Sequence, residues 1–137
     1  MARAMLWGGL LAGIGDTILA LVLYRVPLTI VYQSVAGGLL GRATYDGGQA
    51  TAALGMFLHF FIATTWAGLY VWASRAVPVL ARRTLACGLA YGVLVYFFMK
   101  YVVLPLSAVS RLGRFEPAAM VGHAFLVGLP IAFVARR

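Results

Sequence analysis

Four ionisable side chains lie inside otherwise apolar stretches of this sequence: Asp16, His59, Lys100 and His123. The chain has three acidic residues and two histidines in all, so one acid and both histidines fall within these stretches. Carboxylates and imidazoles can accept, hold and release protons, and a charge at the centre of a lipid bilayer costs at least about 2.5 kcal/mol. Such side chains usually face a protein interior or a water-filled cavity, so we treat these four as candidate functional residues.

The composition is typical of a membrane protein. Of the 137 residues, 64% are apolar and 10% are charged, whereas ordinary soluble domains carry about 25% charged residues. The net charge is +8, but the arginines stand singly or in pairs at the ends of apolar stretches. This distribution is typical of membrane flanks, so we expect the lipid bilayer, and not nucleic acid, to be the partner.

Four stretches are long and apolar enough to cross a bilayer, which takes roughly 20 residues. They are residues 5–24, 50–73, 84–104 and 117–135. The first follows a basic start like that of a signal peptide, but it is long, contains Asp16 and lacks a convincing small-x-small cleavage site before Arg25, so we predict a membrane span. The sequence therefore predicts an all-α integral membrane protein, with residues 1–137 forming one domain of four transmembrane helices in a bundle.

The segment between the first two spans has an intermediate character. Residues 27–41 are too few to cross a bilayer and too apolar for a loop in water. We predict a short interfacial or re-entrant helix there, bending at its glycines.

Four spans put both termini on the same side. The arginines on that side are Arg3, Arg75, Arg82, Arg83, Arg136 and Arg137, and those on the other side are Arg25, Arg42, Arg111 and Arg114. Cytoplasmic segments carry the excess of positive charge, so this distribution favours cytoplasmic termini. We call the opposite side the outer side.

Small residues recur every four positions in three of the spans. In lipid, such residues let helix backbones approach closely and so mark the packing face. The series are Gly8, Ala12, Asp16, Ala20; Thr51, Gly55, His59, Ala63, Ala67; and Thr84, Gly88, Gly92, Tyr96, Lys100. Residues four apart share a helix face, so three of the ionisable side chains are predicted to face neighbouring helices. The fourth span is less regular, with Ala119 one turn before His123.

The four ionisable residues also share a depth. At 1.5 Å per residue they lie roughly 6 to 17 Å below the outer boundary. We therefore predict one polar pocket in the outer half of the bundle, lined by these four together with Tyr96, with Gln33 of the short helix at its mouth.

Each of these residues also has a structural interpretation. Asp16 can pair with Lys100 or with a histidine only to fix helix packing. Each histidine can be a neutral hydrogen-bonded core residue, and Lys100 can reach the interface with its long stem. Two histidines on different helices also allow haem ligation, although their estimated depths differ by roughly 7 Å. The sequence offers too few ligand side chains for an evident metal site, and its one cysteine, Cys87, cannot form an internal disulfide. We therefore predict no metal, no cofactor and no catalytic residue.

Several stretches resemble the YagU-like bacterial inner-membrane proteins. They are AGIGDTILALVLYRVPL in the first span, LHFFIATTWAGLY around His59, CGLAYGVLVYFFMKYVVLPLSA in the third span and VGHAFLVGLPIAFVARR, which holds Gly122 and His123. Asp16 and Lys100 depart from the residues usual in that family. The resemblance implies a bacterial inner membrane and four spans, and it implies no reaction.

Three functions remain open from the sequence. The first is a small inner-membrane protein whose polar pocket binds or relays protons or a small polar solute. The second is an accessory or assembly protein whose buried charges only fix helix packing, and the third is a haem redox protein. We expect no enzymatic activity, and the sequence leaves the choice between monomer and homodimer open.

Overall fold

A computed structural model describes residues 1–109 and 114–136, and the secondary structure in these ranges is helical. The elements are α1 Ala2–Tyr24, α2 Leu28–Leu40, a 3-10 turn Gly41–Asp46, α3 Gly48–Ala76, the single turn α4 Val79–Arg82, α5 Thr84–Leu106 and α6 Pro117–Ala135. Arg111 and Arg137, which enter the charge comparison above, lie outside the described residues.

Four of these helices, α1, α3, α5 and α6, are long and apolar enough to cross a membrane. They correspond to the four predicted spans, and α3 is longer than predicted at both ends. Segment 27–41 is the short helix α2, as predicted, followed by the 3-10 turn. The ends follow from backbone chemistry: Arg25 adopts a left-handed φ of 51° and its N–H donates to the Leu21 carbonyl, which terminates α1 just before Pro27.

The long helices pack through their small residues. Helix α1 lies between α3 and α6, α5 packs against α6, and α2 lies along α3. At Gly92 of α5, an added Cβ would lie 2.5 Å from the Cα of Ala124 in α6. Only glycine permits this approach, and it lets the two backbones meet without intervening side chains.

The predicted packing faces are buried. Gly8 and Ala12 in the first series, Gly55 and Ala67 in the second, and Thr84, Gly88, Gly92 and Tyr96 in the third are all buried. Large apolar side chains such as Ile18, Phe57 and Trp72 point outward and are 51%, 65% and 66% exposed. The molecule therefore has a core of small residues and an apolar outer surface.

Helices α5 and α6 each contain one π-helical turn, Met99–Val103 and Ala124–Gly128. A proline follows each turn closely: Pro105 in α5 and Pro130 in α6. Proline has no N–H to donate and its ring clashes with the carbonyl four residues earlier, and a π turn relieves that clash by inserting an extra residue. The inserted residue rotates the side chains of the helix before it by roughly 100° about the helix axis relative to those after it. This is why the four-residue series is irregular in the fourth predicted span.

The largest apolar cluster lies toward the ends of the helices that carry the chain termini. Its buried members are Ala12, Ala67, Tyr70, Val71, Val95, Val127, Ile131, Ala132 and Ala135. Two tyrosine hydroxyls within it donate to main-chain carbonyls, Tyr70 to Leu80 at 3.1 Å and Tyr91 to Trp66 at 2.7 Å. The opposite half of the molecule, around the Tyr24 end of α1, contains the polar side chains.

Candidate functional site

Asp16 lies between the two histidines. One carboxylate oxygen, Oδ1, is 3.3 Å from Nε2 of His123 in α6, and the other, Oδ2, is 4.0 Å from Nδ1 of His59 in α3. The Asp16 side chain is 31% exposed, whereas those of His59 and His123 are 11% and 18% exposed. We call these three residues the His-Asp-His cluster. It joins three helices, and α1 provides its central member.

A main-chain carbonyl fixes the orientation of the His123 ring. Nδ1 of His123 is 2.8 Å from the carbonyl oxygen of Ala119, one turn earlier in α6. A carbonyl oxygen only accepts hydrogen bonds, so Nδ1 carries a proton and donates it. The nitrogen that faces Asp16, Nε2, is therefore bare whenever the ring is neutral.

The ring of His59 is fixed in the same way by α1. Its Nε2 lies 2.9 Å from the Gly13 carbonyl oxygen and 3.2 Å from the Thr17 hydroxyl. Nε2 therefore carries a proton and donates it to the Gly13 carbonyl, and the nitrogen facing Asp16 is again the one without a fixed proton. Both histidines thus present to Asp16 the ring nitrogen that can gain or lose a proton.

The cluster extends through Thr17 to the short helix. Thr17 donates its hydroxyl proton to the Gly13 carbonyl at 2.8 Å, so in its 3.3 Å contact with Tyr32 the tyrosine hydroxyl is the donor. The Tyr32 ring also packs against the His59 ring, with centroids 5.9 Å apart. Helix α2 therefore covers the α3 side of the cluster with a buried tyrosine.

A second set of contacts lies on the α5 and α6 side. The Tyr96 ring packs edge-on against His123 with centroids 5.5 Å apart, and its hydroxyl accepts the main-chain N–H of Glu116 at 2.9 Å. The Glu116 carboxylate accepts the Tyr24 hydroxyl at 2.6 Å. Glu116 thereby links the Tyr24 end of α1 to the first turn of α6 and to α5.

Lys100 reaches the cluster only through Tyr96. Its Nζ lies 5.5 Å from the centroid of the Tyr96 ring, within cation–π range. In the described part of the chain, Asp16 forms ion pairs with the histidines and none with Lys100. The sequence allowed either Lys100 or a histidine as the partner of Asp16, and in the structure its partners are the two histidines.

Gln33 lies apart from the cluster. Its side chain is buried and donates to the Gly48 carbonyl at 3.0 Å and the Thr51 hydroxyl at 3.4 Å, while the main-chain carbonyl of Gln33 accepts the Thr44 hydroxyl at 2.7 Å. These bonds tie α2 to the first turn of α3. Its neighbour Tyr32 is the residue of α2 that contacts the cluster.

The cluster is suited to holding protons. If Asp16 is ionised and both rings are neutral, two nitrogen lone pairs face the carboxylate and repel it. One proton in the 3.3 Å contact between Asp16 and His123 converts repulsion into a hydrogen bond or an ion pair, and a second proton on His59 gives the other oxygen a donor. The same three residues can therefore hold one or two protons without any change of partner.

The geometry offers less to other chemistries. Among residues 1–109 and 114–136, no group of three His, Cys, Asp or Glu side chains is arranged to hold a metal ion. Axial haem ligation would need the two histidines to face one iron, whereas here they face the two oxygens of one carboxylate.

Three residues of this region were not predicted from the sequence: Thr17, Tyr24 and Glu116. Thr17 is adjacent to Asp16 and buried, so its polarity within the span was a usable signal. Tyr24 and Glu116 lie at helix ends, where an aromatic residue and an acid are ordinary. Their hydrogen bond depends on how α1 and α6 pack, so neither segment's sequence alone predicts it.

Comparisons with protein-family models, with curated proteins and with solved structures found no match to this chain.

Proposed function

We propose that this chain is a small multi-pass protein of the bacterial inner membrane, with cytoplasmic termini, whose His-Asp-His cluster takes up and relays protons. The observation that carries the proposal is the shared orientation of the histidines: each bonds a carbonyl with one ring nitrogen and turns the other toward Asp16. The relatedness to YagU-like proteins is part of this proposal and rests on the sequence motifs alone.

The surface of the protein supports membrane insertion. Four long apolar helices carry outward-facing aliphatic and aromatic side chains, and a bilayer would cover that surface. The polar contacts of the cluster are turned inward between helices, as is usual for ionisable groups in lipid. The arginine distribution supports cytoplasmic termini, so the cluster would lie in the outer half of the bilayer.

The packing supports proton exchange with the outer side. Asp16 is the most exposed member of the cluster, and the hydrogen bond between Tyr24 and Glu116 places further polar groups at the Tyr24 end of α1. Toward the termini, the close-packed apolar cluster around Tyr70 and Ile131 lies next along the helices. Relay to the cytoplasmic side would therefore require α1 or α6 to move relative to that core.

Infrared difference spectroscopy of the purified protein during acidification tests the proposal. We expect acid to change a carboxyl band that Asp16→Asn abolishes and that His123→Gln shifts, because His123 shares its proton with Asp16. Asp46→Asn is the matched control, since Asp46 is an exposed acid in the 3-10 turn away from the cluster. That variant should keep the Asp16 band.

A flux measurement in proteoliposomes is the second part of the test. Wild-type protein should acidify the vesicle interior in response to an imposed potential or solute gradient, and Asp16→Asn or His59→Ala should lower the rate at least tenfold while the protein stays folded. If the Asp16 band is absent from the wild-type spectrum and no flux is detected, proton uptake is refuted.

The accessory role is the second candidate, and a specific observation favours it: the ion pairs of Asp16 connect α1 to both α3 and α6. Under that alternative, Asp16→Asn and His59→Ala would lower expression and melting temperature, and no variant would alter a flux that never existed. A haem would give the purified protein a Soret band, so its absorption spectrum tests the third alternative directly.

A further inference from the structure

Two adjoining cavities are lined by none of the three residues of the His-Asp-His cluster. The larger, about 590 Å³, lies between α2, α3 and the last two turns of α5, and its lining is almost wholly apolar, with Leu58, Ile62 and Val103 among its walls. The smaller, about 220 Å³, lies where α2 enters the 3-10 turn and is lined in part by Arg42 and Tyr45. Both are lined by Ser34 and Val109, so they lie next to each other.

The boundary between the cavities is a fixed feature of the fold. The Ala108 N–H donates to the Gly38 carbonyl at 2.8 Å, which joins the end of α5 to α2. At Gly41, where φ is +64° and α2 gives way to the 3-10 turn, an added Cβ would meet nothing closer than 4.0 Å. The helix end thus leaves open space beside Arg42, and the main chain bends around it.

The charge in the smaller cavity is unbalanced. Arg42 is exposed and forms no ion pair with an acid of the described chain. Tyr45 is 50% exposed, and no hydrogen bond engages its hydroxyl in that part of the chain. A guanidinium beside a phenol hydroxyl, with no carboxylate among the lining residues, is suited to a phosphate.

We propose that these two cavities together bind one anionic phospholipid of the outer leaflet, with its phosphate at Arg42 and an acyl chain in the apolar cavity. The inference rests on the membrane insertion and orientation proposed above but not on proton uptake. Along α5 the apolar cavity runs from Phe98 to Leu106, a rise of roughly 12 Å at 1.5 Å per residue. Its lining fits a hydrocarbon chain, and the adjoining smaller cavity holds Arg42, the one cation among the described residues that line either cavity.

The two parts of the site can be tested separately. Arg42→Gln removes the charge and keeps a long polar side chain. Gly38→Leu fills the apolar cavity, and its helical backbone tolerates a Cβ, which would lie 3.9 Å from that of Ser107. Arg25→Gln is the matched control, because Arg25 is an arginine of the same side that lines neither cavity.

Binding is measured by native mass spectrometry and by melting temperature in an uncharged detergent, with phosphatidylglycerol or phosphatidylcholine of the same chain length added. We expect one phosphatidylglycerol per chain, bound more tightly than phosphatidylcholine. Arg42→Gln should weaken phosphatidylglycerol binding roughly fivefold, since one arginine near an anionic surface contributes about 1 kcal/mol. Gly38→Leu should abolish the bound lipid, and Arg25→Gln should change nothing.

Three results would overturn the proposal: equal binding of the two lipids to wild type, equal losses in Arg42→Gln and Arg25→Gln, or full binding by Gly38→Leu. Binding of a free fatty acid or of glycerol phosphate as tightly as of the whole lipid would also refute a two-part site. Asp16→Asn should leave lipid binding intact, so a failure of proton uptake is distinguishable from a failure of this inference.

Discussion

At the scale of single residues, the central feature is that main-chain carbonyls determine which ring nitrogen of each histidine carries a proton. Gly13 and Ala119 are not ionisable, yet their oxygens decide which nitrogen of His59 and His123 faces Asp16. The Asp16 carboxylate then faces the two ring nitrogens that no carbonyl holds protonated. A histidine pair around an acid is common in proteins, but here the helix backbone sets its protonation chemistry.

This arrangement predicts the protonation of each ring nitrogen. In ¹⁵N spectra of histidine-labelled protein at neutral pH, His123 should retain a proton on Nδ1 and His59 a proton on Nε2. Asp16→Asn removes the acid but neither carbonyl, so both assignments should persist in that variant. A wild-type spectrum with His123 protonated on Nε2 alone would contradict the carbonyl bond and the proton count built on it.

The sequence predicted the members of the cluster better than their contacts. Polarity within an apolar span was enough to single out Asp16, His59 and His123, and the four-residue series correctly turned Asp16 and His59 inward. It did not separate Lys100 from them, because the π turn Met99–Val103 contains Lys100 and ends the regular series at Tyr96. A periodicity argument assumes 3.6 residues per turn throughout and cannot anticipate a local insertion.

At the scale of helices, glycine contacts hold the cluster in register. Gly92 of α5 meets the main chain of α6 at His123 and Ala124, so this contact sets the height of His123 against α5. A side chain there would push α6 away and carry His123 with it. The small residues therefore pack the helices together and also fix the positions of the polar side chains.

We expect Gly92→Ala to destabilise the protein by about 1–3 kcal/mol, the usual cost of inserting carbon into a close-packed contact. Gly38→Ala is the matched control: it adds the same methyl group to a helical glycine where the nearest side-chain atom is 3.9 Å away. Reversible unfolding in mixed micelles measures both variants. Equal stability of the two would show that the α5–α6 contact is not close-packed in the folded protein.

At the scale of the whole molecule, the two halves differ in character. The half near the termini is sealed by the apolar cluster around Tyr70 and Ile131, whereas the half near Tyr24 holds the His-Asp-His cluster and both cavities of the proposed lipid site. The number and approximate bounds of the long helices were predictable, because length and hydropathy decide them. Which helices are neighbours was not, since apolar spans of similar composition do not specify their partners.

The proposed orientation rests on the arginine distribution and can be tested with single cysteines. In a Cys87→Ala background, Asp46→Cys and Arg82→Cys each place one thiol at an exposed position, on opposite ends of the molecule. A membrane-impermeant maleimide should label the Asp46→Cys protein in intact right-side-out spheroplasts and the Arg82→Cys protein only after lysis. The reverse pattern would invert the orientation, and labelling of both before lysis would refute a four-span topology.

The position of Asp16 in the first helix has a consequence for biosynthesis. Asp16 leaves the ribosome before either of its partners, and His123 is translated about a hundred residues later, in the last long helix. Until His59 of α3 follows, a nascent α1 has an acid with no histidine to face, so an α1 that enters the membrane as proposed must be held by the insertion machinery or enter the bilayer protonated. Arrival of α6 then supplies His123 to Asp16 and Glu116 to Tyr24, and the closing of these two contacts marks the end of assembly.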